Sequence, residues 1–231
     1  MKLKKHDFVE VEYTGKLENG VVFDTTDAKT AAMSGIKRDA STFGPVTICL
    51  GEGHILKAID EKIMEHGLGD FKITIQPEGA FGKKNAKLLK LVPMKVFMKE
   101  KIMPYPGLEV NLDNTYGIVR SVSGGRVIVD FNHPLSGHVV KYDVKTLKTI
   151  ESTLDKAKAV FKNELNFTPK LELAEGHLVI DEKFPEEVLE SLKKRLIELV
   201  PELKDVSIKK HEHKEETVDE HKGHTHKKAS E

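Results

Sequence analysis

An α+β fold is what this sequence predicts, and three observations carry the prediction. Two alternating apolar runs meet at Asn19-Gly20. One amphipathic stripe, Ile55, Leu56, Ile59 and Ile63, stands among strand-like runs. After Ser152, two further helical stripes flank a short apolar hairpin. Asn-Gly between alternating apolar runs is the strongest short-range hairpin signal, and one helix packed on an antiparallel sheet is an α+β arrangement.

The first strand alternates Val9, Val11 and Tyr13 against Glu10, Glu12 and Thr14, and Gly15 is expected to break it. The return run Val21-Val22-Phe23 ends in an acid, Asp24. A period of two puts Tyr13 on the face of Val9 and Val11. A closed hairpin could then bring Tyr13, Phe23 and Asp24 to one hollow. A carboxylate among aromatics is a candidate site, although the local pattern alone fits an ordinary half-buried hairpin better. Residues 25–44 are polar and read as a loop with room for a short helix. The stripe from Ile55 to Ile63, with Lys57, Asp60, Glu61 and Lys62 opposite, reads as a helix ended by Gly67. Phe71, Ile73 and Ile75 alternate as the next strand.

Strand-like runs follow at Leu108–Leu112, Tyr116–Val122 and Arg126–Phe131, with turns at Asn114 and Gly124-Gly125. Leu154, Ala157, Val160, Phe161 and Leu165 form a helical stripe, with Ser152 or Thr153 as its N-cap. A hairpin around Gly176 and a helix after Pro185, striped by Val188, Leu189, Leu192, Leu196 and Leu199, come next, then a last strand at Val206–Ile208. This unit is small for a free-standing core and should dock on the rest of the chain or on a second copy. Residues 211–231 are Lys, Glu and His with almost no apolar residue, and should not fold alone.

Four blocks in order, Val11-Glu-Tyr-Thr-Gly with Phe23-Asp24, Pro45–Gly51 running into Gly-His-Ile-Leu, Gln76–Gly82, and Asn132–Leu135 with Gly137 and the strand Val139–Val144, resemble FKBP-type peptidyl-prolyl isomerases. The resemblance implies an FKBP-like antiparallel sheet wrapped on one helix, built from residues 1–83 and 131–151. It implies a prolyl pocket lined by Tyr13, Phe23, Asp24, Val46, Ile55, Leu56, Ile59, Phe81, Leu135 and Tyr142, with the Ile55 N–H as donor to a substrate carbonyl. Catalysis there needs no nucleophile, metal or cofactor, and the partners are proline-containing or unfolded polypeptides. Three departures stand out. Ile59 takes the place where the family commonly has Trp, Phe81 the place of a frequent Tyr, and Val46 that of a frequent aromatic. They imply a wider, less aromatic pocket with weaker macrolide binding.

Residues 84–130 interrupt the family pattern and are too long for an ordinary loop. They resemble the small β-rich insert-in-flap domain of SlyD-like members, which implies a chaperone surface. Met94, Phe97, Met98, Met103 and Tyr105 are its candidates, since methionine suits surfaces that bind varied apolar sequences. Some of these residues must instead form the module's own core. Residues 152–210 resemble the C-terminal α+β extension of long archaeal-type members, which implies a dimerisation or substrate-holding role. SlyD-like proteins also carry metal-binding histidine tails; here His211, His213, His221, His224 and His226 have chelating spacings. A solvated end explains the tail as well, so no metal site is assigned.

With 37 basic and 37 acidic residues, no global field draws the chain to nucleic acid. No apolar run approaches the ~18 residues of a membrane span. Cys49 is the only cysteine, so no intrachain disulfide is available, and the amino terminus lacks the apolar core of a signal peptide. A cytoplasmic isomerase with a built-in chaperone module is the leading expectation; a holdase that keeps the fold without turnover is the alternative.

Overall fold

The computed structural model describes residues 2–209; the tail histidines lie outside the described residues. The body is a five-stranded antiparallel sheet centred on β1 (Phe8–Leu17). Along one edge, β1 pairs through its first half with β3 (Val46–Cys49) and through its second half with β2 (Val22–Thr25). Along the other edge lies β9 (Val140–Thr149), followed by β4 (Gly69–Ile75). The turn between β1 and β2 closes at Asn19-Gly20, with the Leu17 amide donating to the Val21 carbonyl. Between β2 and β3 runs a short helix, α1 (Ala28–Met33), capped by the Asp27 carboxylate on the Thr30 amide.

Helix α2 (Lys57–His66) turns Ile59 and Ile63, both fully buried, onto the sheet residues Val9, Val11, Ile48 and Val144. It stops at Gly67, whose φ of +81° lets its amide reach back to the Ile63 carbonyl; a side chain there would be strained.

Between β4 and β9 the chain builds a separate four-stranded antiparallel sheet, in the order β5 (Leu89–Pro93), β8 (Arg126–Asp130), β7 (Thr115–Ser123), β6 (Glu109–Leu112). A short helix, α3 (Met94–Lys99), covers one face. Its core is Phe97, Val110, Val119, Val127 and Val129. The sequence reading anticipates β6 to β8 but not β5 or α3.

The last unit comprises α4 (Thr153–Leu165), capped by the Ser152 hydroxyl on the Asp155 amide, a hairpin of β10 (Leu171–Ala174) and β11 (His177–Ile180), α5 (Glu186–Leu199), and β12 (Asp205–Ile208), which returns parallel to β11. Its core holds Phe161, Leu178, Ile180, Leu196 and Val206. Phe8 and Cys49 of the body are buried in the same cluster. Phe8 precedes Val9 on β1, and alternation points the two to opposite sides. Val9 serves the body core and Phe8 the C-terminal core. Each large side chain so buried contributes about 1.5–3 kcal/mol, which offsets the small size of the unit. No helix among the described residues is long and apolar enough to cross a membrane.

Candidate active site

The hairpin supplies the first wall. In the β1–β2 register Gly15 lies opposite Asp24 but Lys16 opposite Val22, so Phe23 is an extra residue on β2. In a regular strand Phe23 and Asp24 would face opposite sides; a bulge re-aims one of them. Both thus reach the same hollow. Phe23 meets Tyr142 edge-on, at 5.7 Å between ring centres and 83°, and Phe81 likewise, at 5.9 Å and 86°. Tyr13 and Tyr142 lie 6.1 Å apart. Edge-to-face pairs of this kind add about 0.5–1.5 kcal/mol beyond their burial.

Gly15 does not break β1; it lies within it. A Cβ there would come 2.8 Å from both the Phe23 Cζ and the Tyr142 Cε1. The aromatic wall closes over this position because it carries no side chain. The sequence reading takes Gly15 as a strand breaker, since a glycine in a strand pattern signals a break or a close approach without distinguishing them.

Asp24 is the polar member. Its Oδ2 accepts from the Tyr13 hydroxyl at 3.3 Å. Its Oδ1 is buried without an aligned hydrogen bond, although the Arg38 Nη1 lies 3.0 Å away as an ion-pair partner. Burial first, and then the Asp24 charge, push the Tyr13 hydroxyl up to about 12. Burial likewise raises the Tyr142 hydroxyl. Both phenols are therefore neutral donors across the physiological range. Arg38 has no local sequence signal, because it sits in the polar stretch between β2 and β3.

The remaining walls come from three places. Ile59 on α2 is fully buried. Val46 opens β3, and Ile55 and Leu56 precede α2 rather than belonging to it, Leu56 being its N-cap residue. All pack in one cluster with Tyr13, Phe23, Phe81 and Tyr142. Leu135 does not join that cluster. It is half-buried in the loop before β9, where its amide donates to the His133 Nδ1 at 3.2 Å. That loop is tied to Phe81 instead. His133 stacks flat on Phe81 at 4.9 Å, the Ser136 hydroxyl donates to the Phe81 carbonyl at 2.8 Å, and the Gly137 amide donates to the Gly82 carbonyl. A separate open cleft of about 480 Å³ lies over the β1–β9–β4 sheet; it is lined by Glu12, Thr14, Lys72, Asp143 and Lys145 and shares only Tyr13 with the hollow.

The two chain segments joining the body to the four-stranded sheet are stitched together. The Asn85 amide donates to the Asn132 Oδ1 at 2.8 Å, and the Asn132 Nδ2 donates to the Asn85 carbonyl at 3.1 Å and to the Asp130 Oδ1 at 2.7 Å. Asp130 is buried and also takes Arg120 at 2.9 Å.

Of the candidate chaperone residues, Phe97 is fully buried at the centre of the small core, and Met94 packs against it. On the first turns of α3 these two face the sheet, so Phe97 is a core residue and not a surface one. Met98, Met103 and Tyr105 are exposed, Met103 by 84%. Leu89, Leu91 and Ile128 add exposed apolar area that the sequence reading missed. Leu91 lies opposite Ile128 across β5 and β8, on the face turned away from the Val127–Val129 core. The signal was the alternation Leu89-Lys90-Leu91, hidden by the Pro that ends β5.

A sequence model described as FKBP-type peptidyl-prolyl cis-trans isomerase matches residues 1–97, and one described as FKBP26, IF domain, matches residues 90–135. The short-type peptidyl-prolyl cis-trans isomerase of Methanocaldococcus jannaschii is 26% identical over 144 residues, covering 62% of this chain and 91% of that protein. The FKBP-type isomerase SlyD of Pasteurella multocida is 25% identical over 162 residues, covering 67% and 73%. A crystal structure of the three FKBP domains of wheat FKBP73 is a distant likeness, at TM-score 0.34 and 17% identity, with 65% of this chain and 41% of that chain covered. Over residues 1–97 the chain is thus similar to FKBP-type peptidyl-prolyl cis-trans isomerases, and the relatives named above that it resembles over about two thirds of its length are isomerases of that type.

Proposed function

We propose that this protein accelerates rotation about prolyl peptide bonds in polypeptides, and that the four-stranded insert holds unfolded chains near the site. The observation that carries the first part is the aromatic hollow itself, where Phe23 meets both Tyr142 and Phe81 edge-on, Tyr13 donates to Asp24, and Ile59 packs in the same cluster. Rotation about a peptide bond must cross a barrier of ~18–20 kcal/mol because the amide loses its conjugation. A twisted amide separates less charge than a planar one, so a dry, rigid, apolar hollow favours it. The Ile55 N–H, just ahead of α2, would donate to the carbonyl of the bound residue, and Asp24 would hold Tyr13 in place. No group in this scheme transfers a proton or forms a bond to substrate.

The second part rests on Met98, Met103 and Tyr105 at one end of the insert, and on Leu89, Leu91 and Ile128 on its outer sheet face. A homodimer through the C-terminal unit is a further proposal, motivated by exposed Leu165, Phe167 and Val188 on and beside α4 and α5. A holdase without turnover is the second reading. It is favoured by Ile59 and Phe81, which stand where the family commonly places Trp and Tyr.

A protease-coupled assay on a proline tetrapeptide separates the two. Phe23→Ala should lower kcat/KM by about tenfold or more with the fold intact by circular dichroism. An inactive wild type favours the holdase, and a fully active, folded Phe23→Ala variant refutes the assignment of the hollow.

A further inference from the structure

The loop from Leu50 to Leu56 leads from β3 into α2 and carries Ile55 and Leu56 to the hollow. It has two glycines and no regular element of its own, so its shape depends on what grips it. The body grips it from its start: the Asp60 carboxylate, buried on α2, accepts from the Gly51 amide at 2.6 Å, and the Leu50 amide and carbonyl pair with the Asp7 carbonyl and the His6 amide. Further grips come from the C-terminal unit. Arg195 on α5 donates to the Glu52 Oε2 at 2.6 Å, and the same guanidinium is held by Glu164 of α4 at 2.8 Å and by Glu198 at 3.1 Å. Glu52 is only 9% exposed and also takes His6 at 2.8 Å and Lys5 at 3.2 Å. A second clasp comes from the residue next to Glu164 on α4. The Asn163 Nδ2 on α4 donates to the Thr47 carbonyl at 2.8 Å and lies 3.2 Å from the His54 Nδ1, which also accepts from the Cys49 amide at 3.0 Å.

We propose that the C-terminal unit positions the prolyl site: Arg195 and Asn163 are positioning residues that fix the β3–α2 loop and, through it, the Ile55 N–H and the Leu56 side chain. This rests on the reading of the hollow as a prolyl site. Three features carry it. Of the clasped residues, His54 directly precedes Ile55, Glu52 lies three residues before it, and Thr47 follows Val46 on β3. The clasp is charged, and one guanidinium, 29% exposed, holds three carboxylates at once, of which Glu52 is the buried one. The unit cannot drift as a separate body, since Phe8 and Cys49 are buried in its core. Burial opposes charge on Glu52, but the hydrogen bonds from Arg195, Lys5 and His6 prevail and hold its carboxyl at about 2.

The test uses the full chain with Arg195→Ala, Asn163→Ala, the conservative Arg195→Lys and a control, Lys209→Ala, which frees the residue after β12 from Glu172 and Asp181, both within the C-terminal unit. Tetrapeptide isomerisation and amide hydrogen exchange are read together. Arg195→Ala and Asn163→Ala should each lower kcat/KM by about tenfold and speed exchange at Ile55 and Leu56, while the amides of β4 and β9 keep wild-type protection. Arg195→Lys should recover part of the loss, and Lys209→Ala should match wild type. Wild-type kcat/KM in a folded Arg195→Ala variant with a loosened loop overturns the proposal. So does a loss of activity that tracks only global unfolding in both alanine variants. An inactive wild type refutes the function proposed above; the exchange data still report whether the clasp fixes the loop.

Discussion

The hollow and the insert put similar side chains to opposite uses. In the hollow, Phe23, Phe81 and Tyr142 meet edge to face and are closed over a position with no side chain. In the insert, Met98, Met103 and Leu91 stand in solvent on a module whose own core is four valines and Phe97. A site that separates two geometries of a single bond gains from fixed walls. A surface that accepts many sequences gains from area and from side chains that readjust. Rigid rings suit the first purpose, and flexible thioethers and leucines would suit the capture of unfolded chains proposed for the insert.

Four variants break or sharpen this contrast. Phe97→Ala has the largest expected effect, about 3–5 kcal/mol against the insert. It should appear as early exchange of the amides of residues 89–130 with the body protected. An insert that stays as protected as in wild type would erase the distinction between core and surface in α3. Gly15→Ala comes next. Its new methyl must displace two rings, at about 1–3 kcal/mol, and tetrapeptide turnover should fall with it. Wild-type stability in a urea titration, together with full turnover, would show that the rings are not locked.

Asp24→Asn acts on charge. Because Tyr13 holds its proton to about 12 in the folded chain and to about 10 unfolded, its share of stability is complete below about pH 10. That share is lost as pH rises toward 12. Removing the Asp24 charge should move the Tyr13 transition down in a 295 nm titration without returning it to the unfolded value, since burial is the larger cause. An unmoved transition would deny the pairing. The smallest effect on stability, within about 0.5 kcal/mol, is expected for Met98→Ser combined with Met103→Ser. Tetrapeptide isomerisation should stay unchanged while catalysed refolding of a proline-limited protein slows. Equal changes in both assays would remove the insert from substrate capture.

The sequence made the hairpin at Asn19-Gly20, the α2 stripe and both C-terminal helices legible, because each is written in neighbouring residues. What it left hidden depends on distant partners or on two readings of one residue. Gly15 looks like a breaker and is a close approach. Phe23 and Asp24 alternate in sequence yet share a hollow, because a bulge intervenes. Leu89-Lys90-Leu91 is too short a run beside Pro93 to announce a strand. Phe97 sits in a methionine-rich segment whose composition suggests surface, but helical spacing turns it inward. Arg195 meets Glu52 across 143 positions, a separation at which no local pattern operates.

The order of the body sheet has a consequence for synthesis. β9 lies between β1 and β4, yet it comes from residues 140–149, after every strand of the insert has already been made. On a ribosome the chain emerges from its amino terminus, and domains form as units when their residues become available. The insert therefore has all its strands by Asp130, while β1 and β4 wait with a gap between them that only a later segment fills. A nascent chain stalled between those two points would present a completed module on an unfinished support, its exposed methionines already in place before the hollow exists.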